Sequence, residues 1–160
     1  IGHLLEMLMA NESGEDAFES IAAVLNIRDV PFLRGGLQAS CKGIYSTLQS
    51  QNARNRRAVS NDSEVARAYP VKYPLLFDPQ TAGGLLFFVD PEKCDDFVKA
   101  LQAKNVSATV VGELEKYNTE QYNKRKNDSD EMPPEETDTL VCTIGSGDTA
   151  TGRRIRIALY

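Results

Sequence analysis

Apolar positions change period several times along this chain, and each period names an element. Leu4, Leu5, Leu8 and Met9 recur at the spacing of one helix face. Gly2 and His3 make a poor N-cap, so the helix reads as already under way and the chain as a piece of something longer. From Ser20 to Ile27 the period drops to two. Ile21, Ala23, Leu25 and Ile27 fall on one side, as in a strand with one buried face. Arg28-Asp29-Val30-Pro31 ends it. Leu33 to Ile44 holds a short helix weakened by Gly35 and Gly36. Gln49 to Asp62 is polar and rich in Asn and Arg. It is predicted to be a loop whose Arg54, Arg56 and Arg57 are free to meet solvent or anions. Glu64 to Ala68 makes one helical turn, stopped by Pro70 and Pro74.

The second half is patterned more sharply. Leu75-Leu76-Phe77 leads into an Asp78-Pro79 turn, then Gly83-Gly84, then Leu85 to Val89, which is apolar at every position. A strand apolar on both faces is predicted to lie in the middle of its sheet. Asp90 and Pro91 supply an N-cap and first-turn proline for a helix whose stripe is Phe97, Val98, Leu101 and Gln102, ending near Asn105. Ala108 to Leu114 is a strand. Residues 115–136 carry almost no sizeable apolar side chains and are predicted to be a mobile acidic insertion. Thr137 to Ile144 and Arg153 to Tyr160 are strands. The glycine-rich stretch between them, too short for a helical crossover, reads as a hairpin loop. These elements predict an α+β domain with a mixed, largely antiparallel sheet flanked by helices.

Composition narrows the classes. The chain has 160 residues, 41% hydrophobic and 26% charged, enough for one core and ordinary for a globular domain. A net charge of −5 argues against a general nucleic-acid partner. No stretch approaches the roughly 20 apolar residues of a membrane helix. Cys41, Cys94 and Cys142 are odd in number, widely spaced and without a CxxC pair. They form no disulfide framework or zinc site, and each reads as a small buried hydrophobe in a reducing compartment.

Candidate chemistry concentrates in residues 78–84. Pro79 with Gly83 and Gly84 lets the backbone turn sharply and approach a partner. Successive N–H groups in such a turn can form an anion-binding nest, with Asp78 and Thr81 orienting it. The competing reading is a structural turn in which Asp78 and Thr81 cap backbone groups. Gly147 and Gly152 have the spacing of a P-loop, but Arg153-Arg154 replaces Lys-Ser/Thr and a strand-like pattern follows where a helix is needed. The single His3 has no metal-ligand pattern beside it and reads as a satisfied or exposed helix histidine.

Asp78-Pro79-Gln80-Thr81-Ala82-Gly83-Gly84-Leu85-Leu86 resembles the DPQT(S/A)GGLL signature of selenophosphate synthetases (selenide, water dikinases). Gly2-His3-Leu4-Leu5-Glu6-Met7 is similar to the family's GHLxEM segment, and Val111-Gly112-Glu113-Leu114 to its later IGE(L/V) strand. Ala82 stands where Ser is commoner in the family. The resemblance implies a single C-terminal domain, residues 1–160, of the aminoimidazole ribonucleotide synthetase-like superfamily. It also implies a cytoplasmic parent enzyme that makes selenophosphate, AMP and phosphate from selenide, ATP and water.

Magnesium and ATP would be held mainly by an N-terminal domain lying outside this sequence, which is also the expected partner of this one. The full-length enzyme is expected to be a homodimer. The long acidic insertion suggests a eukaryotic or fused form, since some members are joined to a flavin-dependent NAD(P)H oxidoreductase. No catalytic or metal-ligating residue, and no cofactor, is carried over to this chain. Asp78, Gln80, Thr81, Gly83 and Gly84 are carried over as a loop facing the interdomain cleft. Two other readings stay open: a non-catalytic docking or regulatory module, and a domain of another ATP-using enzyme of the superfamily.

Overall fold

A computed structural model describes residues 1–11, 21–79, 83–116, 139–144 and 155–159. The order is helix α1 (Gly2–Asn11), strand β1 (Ile21–Asn26), helices α2 (Gly36–Cys41), α3 (Gln49–Asn52) and α4 (Asp62–Ala68), strand β2 (Leu86–Val89), helix α5 (Pro91–Gln102), and strands β3 (Thr109–Lys116), β4 (Thr139–Ile144) and β5 (Ile155–Leu159). Two 3-10 segments, Ala53–Ala58 and Tyr73–Phe77, join the helical part together. The five strands form one sheet in the order β2-β5-β3-β1-β4. Every pairing in it is antiparallel. The α+β expectation holds, with no parallel pair among the described strands.

The alternation read at β1 has its physical cause in the core. Ala23, Leu25 and Ile27 are buried with Leu4, Leu5 and Leu8 of α1, and Val59, Val65, Tyr73 and Phe77 complete that face. Val111 and Leu114 of β3 reach the same cluster. The sheet therefore has a helical layer of residues 1–11 and 36–77 on one side. Met9, the last member of the predicted α1 stripe, is instead 54% exposed. The stripe that packs is the narrower Leu4, Leu5, Leu8.

Three expectations about the strands are corrected. Strand β2 is an edge strand, not a central one, because its only described partner is β5. Its apolar character on both faces is explained by packing across the sheet plane. Leu86 and Phe88 meet the core cluster, while Phe87 stacks edge-on against Phe97 of α5 with ring centroids 5.3 Å apart. Next, β4 and β5 do not form a hairpin. β5 sits between β2 and β3, and β4 pairs with β1 at the far edge. The two strands stand three strand spacings apart, about 14 Å at roughly 4.8 Å each, a separation within the reach of a ten-residue connection. Finally, β3 continues to Lys116, with Glu115 and Lys116 paired to Ala22 and Ile21. The predicted insertion at 115–136 thus loses its first two residues to the sheet, and the rest of it, from 117, lies outside the described residues.

The start of α5 is as expected. Pro91 occupies its first turn, and the Asp90 carboxylate accepts a hydrogen bond from the Glu92 N–H at 3.1 Å. Replacing Asp90 with Ala leaves that donor to water alone. It is expected to cost about 1 kcal/mol in chemical denaturation, and a loss under a few tenths would show that the cap is dispensable. Inside α5, Cys94 is fully buried, as a small hydrophobe should be. Cys41 is exposed, against expectation, because α2 packs through Ser40 and presents Cys41 outward. The side chain of Cys142 lies outside the described residues.

Candidate functional site

The segment that delivers the signature loop is a short 3-10 helix, Tyr73–Phe77. A 3-10 turn with Pro74 near its start leaves several backbone carbonyls without helical partners. Three separate elements satisfy groups along this stretch from outside. Ser40 Oγ of α2 donates to the Val71 carbonyl at 2.7 Å. Gln49 Nε2 of α3 donates to the Pro74 carbonyl at 3.1 Å. The Ile1 nitrogen, just before α1, donates to the Leu76 carbonyl at 3.1 Å. Tyr73 and Phe77 are buried and packed edge to face with centroids 5.2 Å apart. The loop therefore leaves from a braced platform and returns to the sheet at Leu86.

A fourth brace was not legible in the sequence. The Asp62 carboxylate, at the start of α4, accepts two hydrogen bonds from Arg56, at 2.7 Å from Nε and 3.0 Å from Nη2. The Tyr73 hydroxyl donates to the same carboxylate at 2.6 Å. The Arg56 guanidinium also lies 5.5 Å from the Tyr73 ring centroid. Residues 49–58 are thus not the predicted loop but α3 followed by a 3-10 turn. Arg56 is not free for an anion, whereas Arg54 and Arg57 are exposed as predicted. The separation of six residues between Arg56 and Asp62 matches no helical pairing rule, which is why spacing alone gave no hint.

Hydrogen bonding to Arg56 is the largest influence on Asp62 and holds its carboxyl below the ordinary carboxylate range, with the Tyr73 hydroxyl acting in the same direction. Burial is the largest influence on Tyr73 and pushes its hydroxyl up, aided by the Asp62 charge. Asp62→Ala is expected to cost about 1–2 kcal/mol, since it orphans one buried hydroxyl and unpairs a partly exposed guanidinium. A depressed pKa means the folded state binds its proton later than the unfolded state does. The Asp62 contribution is therefore present above the unfolded carboxylate value and disappears as pH falls through the lower folded one. Urea midpoints of wild type and Asp62→Asn should differ at neutral pH, and the gap should begin to close only below roughly pH 4 and vanish beneath the depressed folded value. A gap that persists in acid would exclude the ion pair as its source.

The predicted site residues divide as follows. Asp78 follows the platform directly, in extended backbone, and its N–H donates to the Leu75 carbonyl at 3.2 Å. It is half-buried, and no hydrogen bond or ion pair meets its carboxylate among the described residues. Gly83 and Gly84 are exposed, followed by a 52% exposed Leu85. Gln80 and Thr81 lie outside the described residues. His3 is exposed on α1. Gly2, in the other signature segment, is close to the Asn55 side chain: a Cβ added there would stand 3.4 Å from Nδ2. The Ile1–Leu76 bond ties together the chain immediately before the Gly2–Met7 segment and the chain two residues before the Asp78 loop.

Magnesium requires several oxygen ligands at once. Among the described residues no group of three or more His, Cys, Asp or Glu comes together, and Asp78 contributes a single carboxylate. These residues do not form a magnesium cage. A shallow hollow of about 310 Å³ lined by Leu37, Gln38, Cys41, Lys42 and Val71 includes none of the loop residues. Among the described residues no helix is long and apolar enough to cross a membrane.

Comparison with curated proteins finds several relatives. The chain is 33% identical over 117 residues to a selenide, water dikinase of Agathobacter rectalis, an alignment covering 72% of this chain and 31% of that protein. It is 32% identical over 126 residues to that of Clostridioides difficile, covering 74% and 33% respectively. For that of Pelobacter propionicus the figures are 36% over 115 residues, 71% and 30%. The chain thus spans about a third of the length of the curated relatives it matches. No family model matches the chain, and no solved structure does.

Proposed function

We infer the function from kinship: this chain is a homologue of the selenide, water dikinases, and it serves as the C-terminal domain of a selenophosphate synthetase. Over most of its length it aligns with proteins of that name, yet it accounts for about a third of each. The whole enzyme would make selenophosphate, AMP and phosphate from selenide, ATP and water in the cytoplasm. Its ATP and magnesium sites would be built by the portion outside this sequence. We assign to this domain the residues Asp78, Gln80, Thr81, Gly83 and Gly84 as one wall of the cleft closed by that portion.

The observation that carries the assignment is the braced platform. Four tertiary hydrogen bonds hold Val71 to Phe77 in place, and the first residue they release is a half-buried Asp78 with no polar partner among the described residues. Phosphoryl transfer depends on positioning and electrostatic stabilisation more than on covalent chemistry, and a rigid wall serves it. The closed enzyme would exclude water and hold the transferred group against fixed N–H donors of the loop.

The test uses the protein at the length of its relatives. Phosphorus NMR of a reaction with ATP and selenide should show selenophosphate, with AMP and phosphate formed only when selenide is present. ATP turnover indifferent to selenide would overturn the assignment and favour another ATP-using enzyme of the superfamily. No turnover from a well-folded protein would favour the docking module.

A further inference from the structure

One short segment of this molecule holds large apolar side chains out in water. Six such side chains are exposed among the described residues, and three of them, Ile44, Tyr45 and Leu48, fall within five consecutive positions. Ile44 is 62% exposed and Leu48 50%. Four peptide steps separate those two, so about 14 Å of chain at most holds all three. The same stretch is bare of charge. Residues 43–53 contain no Asp, Glu, Lys or Arg, in a chain that is 26% charged. Free surfaces usually carry mixed charge, whereas the centre of an interface is depleted in it.

The segment is also fixed. The Gly43 N–H donates to the Ser40 carbonyl and the Ile44 N–H to the Ala39 carbonyl, each at 2.9 Å. The Tyr45 hydroxyl donates to the Ser40 carbonyl at 3.2 Å and lies 3.1 Å from Ser40 Oγ. Ser40, the only buried polar residue among the described ones, passes the connection on through its bond to the Val71 carbonyl. On the other side of Leu48, the Gln49 side chain holds the Pro74 carbonyl. Turns close around Leu48 itself: the Gln49 N–H donates to the Ser46 carbonyl at 3.1 Å, and the Gln51 N–H to the Leu48 carbonyl at 3.0 Å. Both outer attachment points, Val71 and Pro74, belong to the platform that delivers the 78–84 loop.

We propose that Ile44, Tyr45 and Leu48 anchor this domain to the portion of the enzyme lying outside this sequence. The inference rests on the selenophosphate synthetase reading for the existence of that portion, and adds where it docks. The chain spans about a third of the length of the relatives it matches, so the remainder is larger than this domain. A cleft closed between the two requires them to meet. Segment 44–48 is built onto the platform beneath the loop assigned to that cleft, so one contact there sets both the spacing of the domains and the approach of the loop. Apolar groups already held on a fixed backbone lose little further freedom when a partner covers them. The surface that receives them is an apolar one, since three uncharged side chains leave nothing to pair a buried charge.

Hydroxyl-radical footprinting of the protein at the length of its relatives tests the contact. Each residue's labelling rate is divided by the rate of the same residue in the unfolded protein. Docked, Ile44 and Leu48 should be labelled at no more than about a tenth of the unfolded rate, as in the dry centre of an interface. Left uncovered, they should be labelled at about half of it, in line with their exposure. Ile44→Asp/Leu48→Asp should raise the labelling of Tyr45 at least about threefold, because carboxylates forced into an apolar contact undock it. Selenophosphate formation measured on the same samples separates the two readings. Protection of 44–48 without turnover overturns the assigned activity and leaves the docking in place. Turnover with Ile44 and Leu48 labelled at about half the unfolded rate overturns the docking alone. It is overturned as well if Tyr45 labelling is unchanged in the double variant, or if the protection disappears on dilution to a monomer, which would make a second copy of the chain the occupant.

Discussion

Gly112→Ala should destabilise the chain by about 3 kcal/mol or more, enough to threaten folding in a domain of ordinary stability. Gly112 lies in β3 opposite Leu25 of β1 and Ile157 of β5. A Cβ at this position would stand 2.1 Å from the Val24 carbonyl oxygen, 2.9 Å from Leu25 Cα and 3.0 Å from the Val24 carbonyl carbon. All three are backbone atoms of a paired strand, so no side chain can swing aside. Relief requires β1 and β3 to part, and both carry core residues: Ala23 and Leu25 on one, Val111 and Leu114 on the other. The register slips between Val110 and Gly112 against β5. A bulge of that kind bends the strand locally, which brings the glycine against its neighbour.

Gly36→Ala is the matched control. Gly36 starts α2, and a Cβ there would meet only Leu75 Cδ1 at 3.9 Å. Alanine in a helix recovers up to about 1 kcal/mol from the unfolded chain's entropy. Urea denaturation of the two variants should thus move in opposite directions. A Gly112→Ala protein within about 1 kcal/mol of wild type would show that β1 and β3 are not packed as described.

The glycine of the Val111-Gly112-Glu113-Leu114 motif shows what a sequence can and cannot tell. The motif was legible as a resemblance. Its physical reason, a strand-to-strand approach with no room for a methyl group, became visible only with Val24 placed beside it. The α1 stripe, the β1 alternation and the Asp90 cap were legible because each is a local rule expressed within a few residues. The helical character of 49–58 was not, since Gln, Asn and Arg there form no apolar stripe and tertiary bonds hold the turns. The edge position of β2 also escaped, because a strand covered by α5 on one face and the core on the other reads like a central strand. The separation of β4 from β5 is a matter of topology that loop length alone cannot fix.

The candidate site divides in the same way. Its loop was found from one nine-residue motif. The brace beneath it joins Asp62, Arg56 and Tyr73, residues no short pattern links. The platform arises because a proline-containing 3-10 turn needs hydrogen-bond donors from elsewhere, and α2, α3 and the start of α1 are placed to supply them.

That division of labour sets the expected result for the loop glycines. Gly83→Val and Gly84→Val, made in the protein at the length of its relatives, should lower selenophosphate formation at least about a hundredfold. The melting temperature should move by no more than a few degrees. Both positions are exposed, so a branched side chain there displaces no core atom and should change stability by about half a kcal/mol or less. If the loop brings backbone N–H donors up to a phosphoryl group, the same side chain blocks the approach, and removing such donors costs roughly 10²–10³ in rate. Tyr73→Phe is the complementary probe. It removes one hydrogen bond to Asp62 from the platform while leaving the loop sequence intact, so stability should fall by about 1 kcal/mol and turnover by less than for either glycine variant. Parallel losses of activity and stability at Gly83 and Gly84 would instead make the segment a structural turn, and the phosphate-facing role would pass to residues outside this sequence.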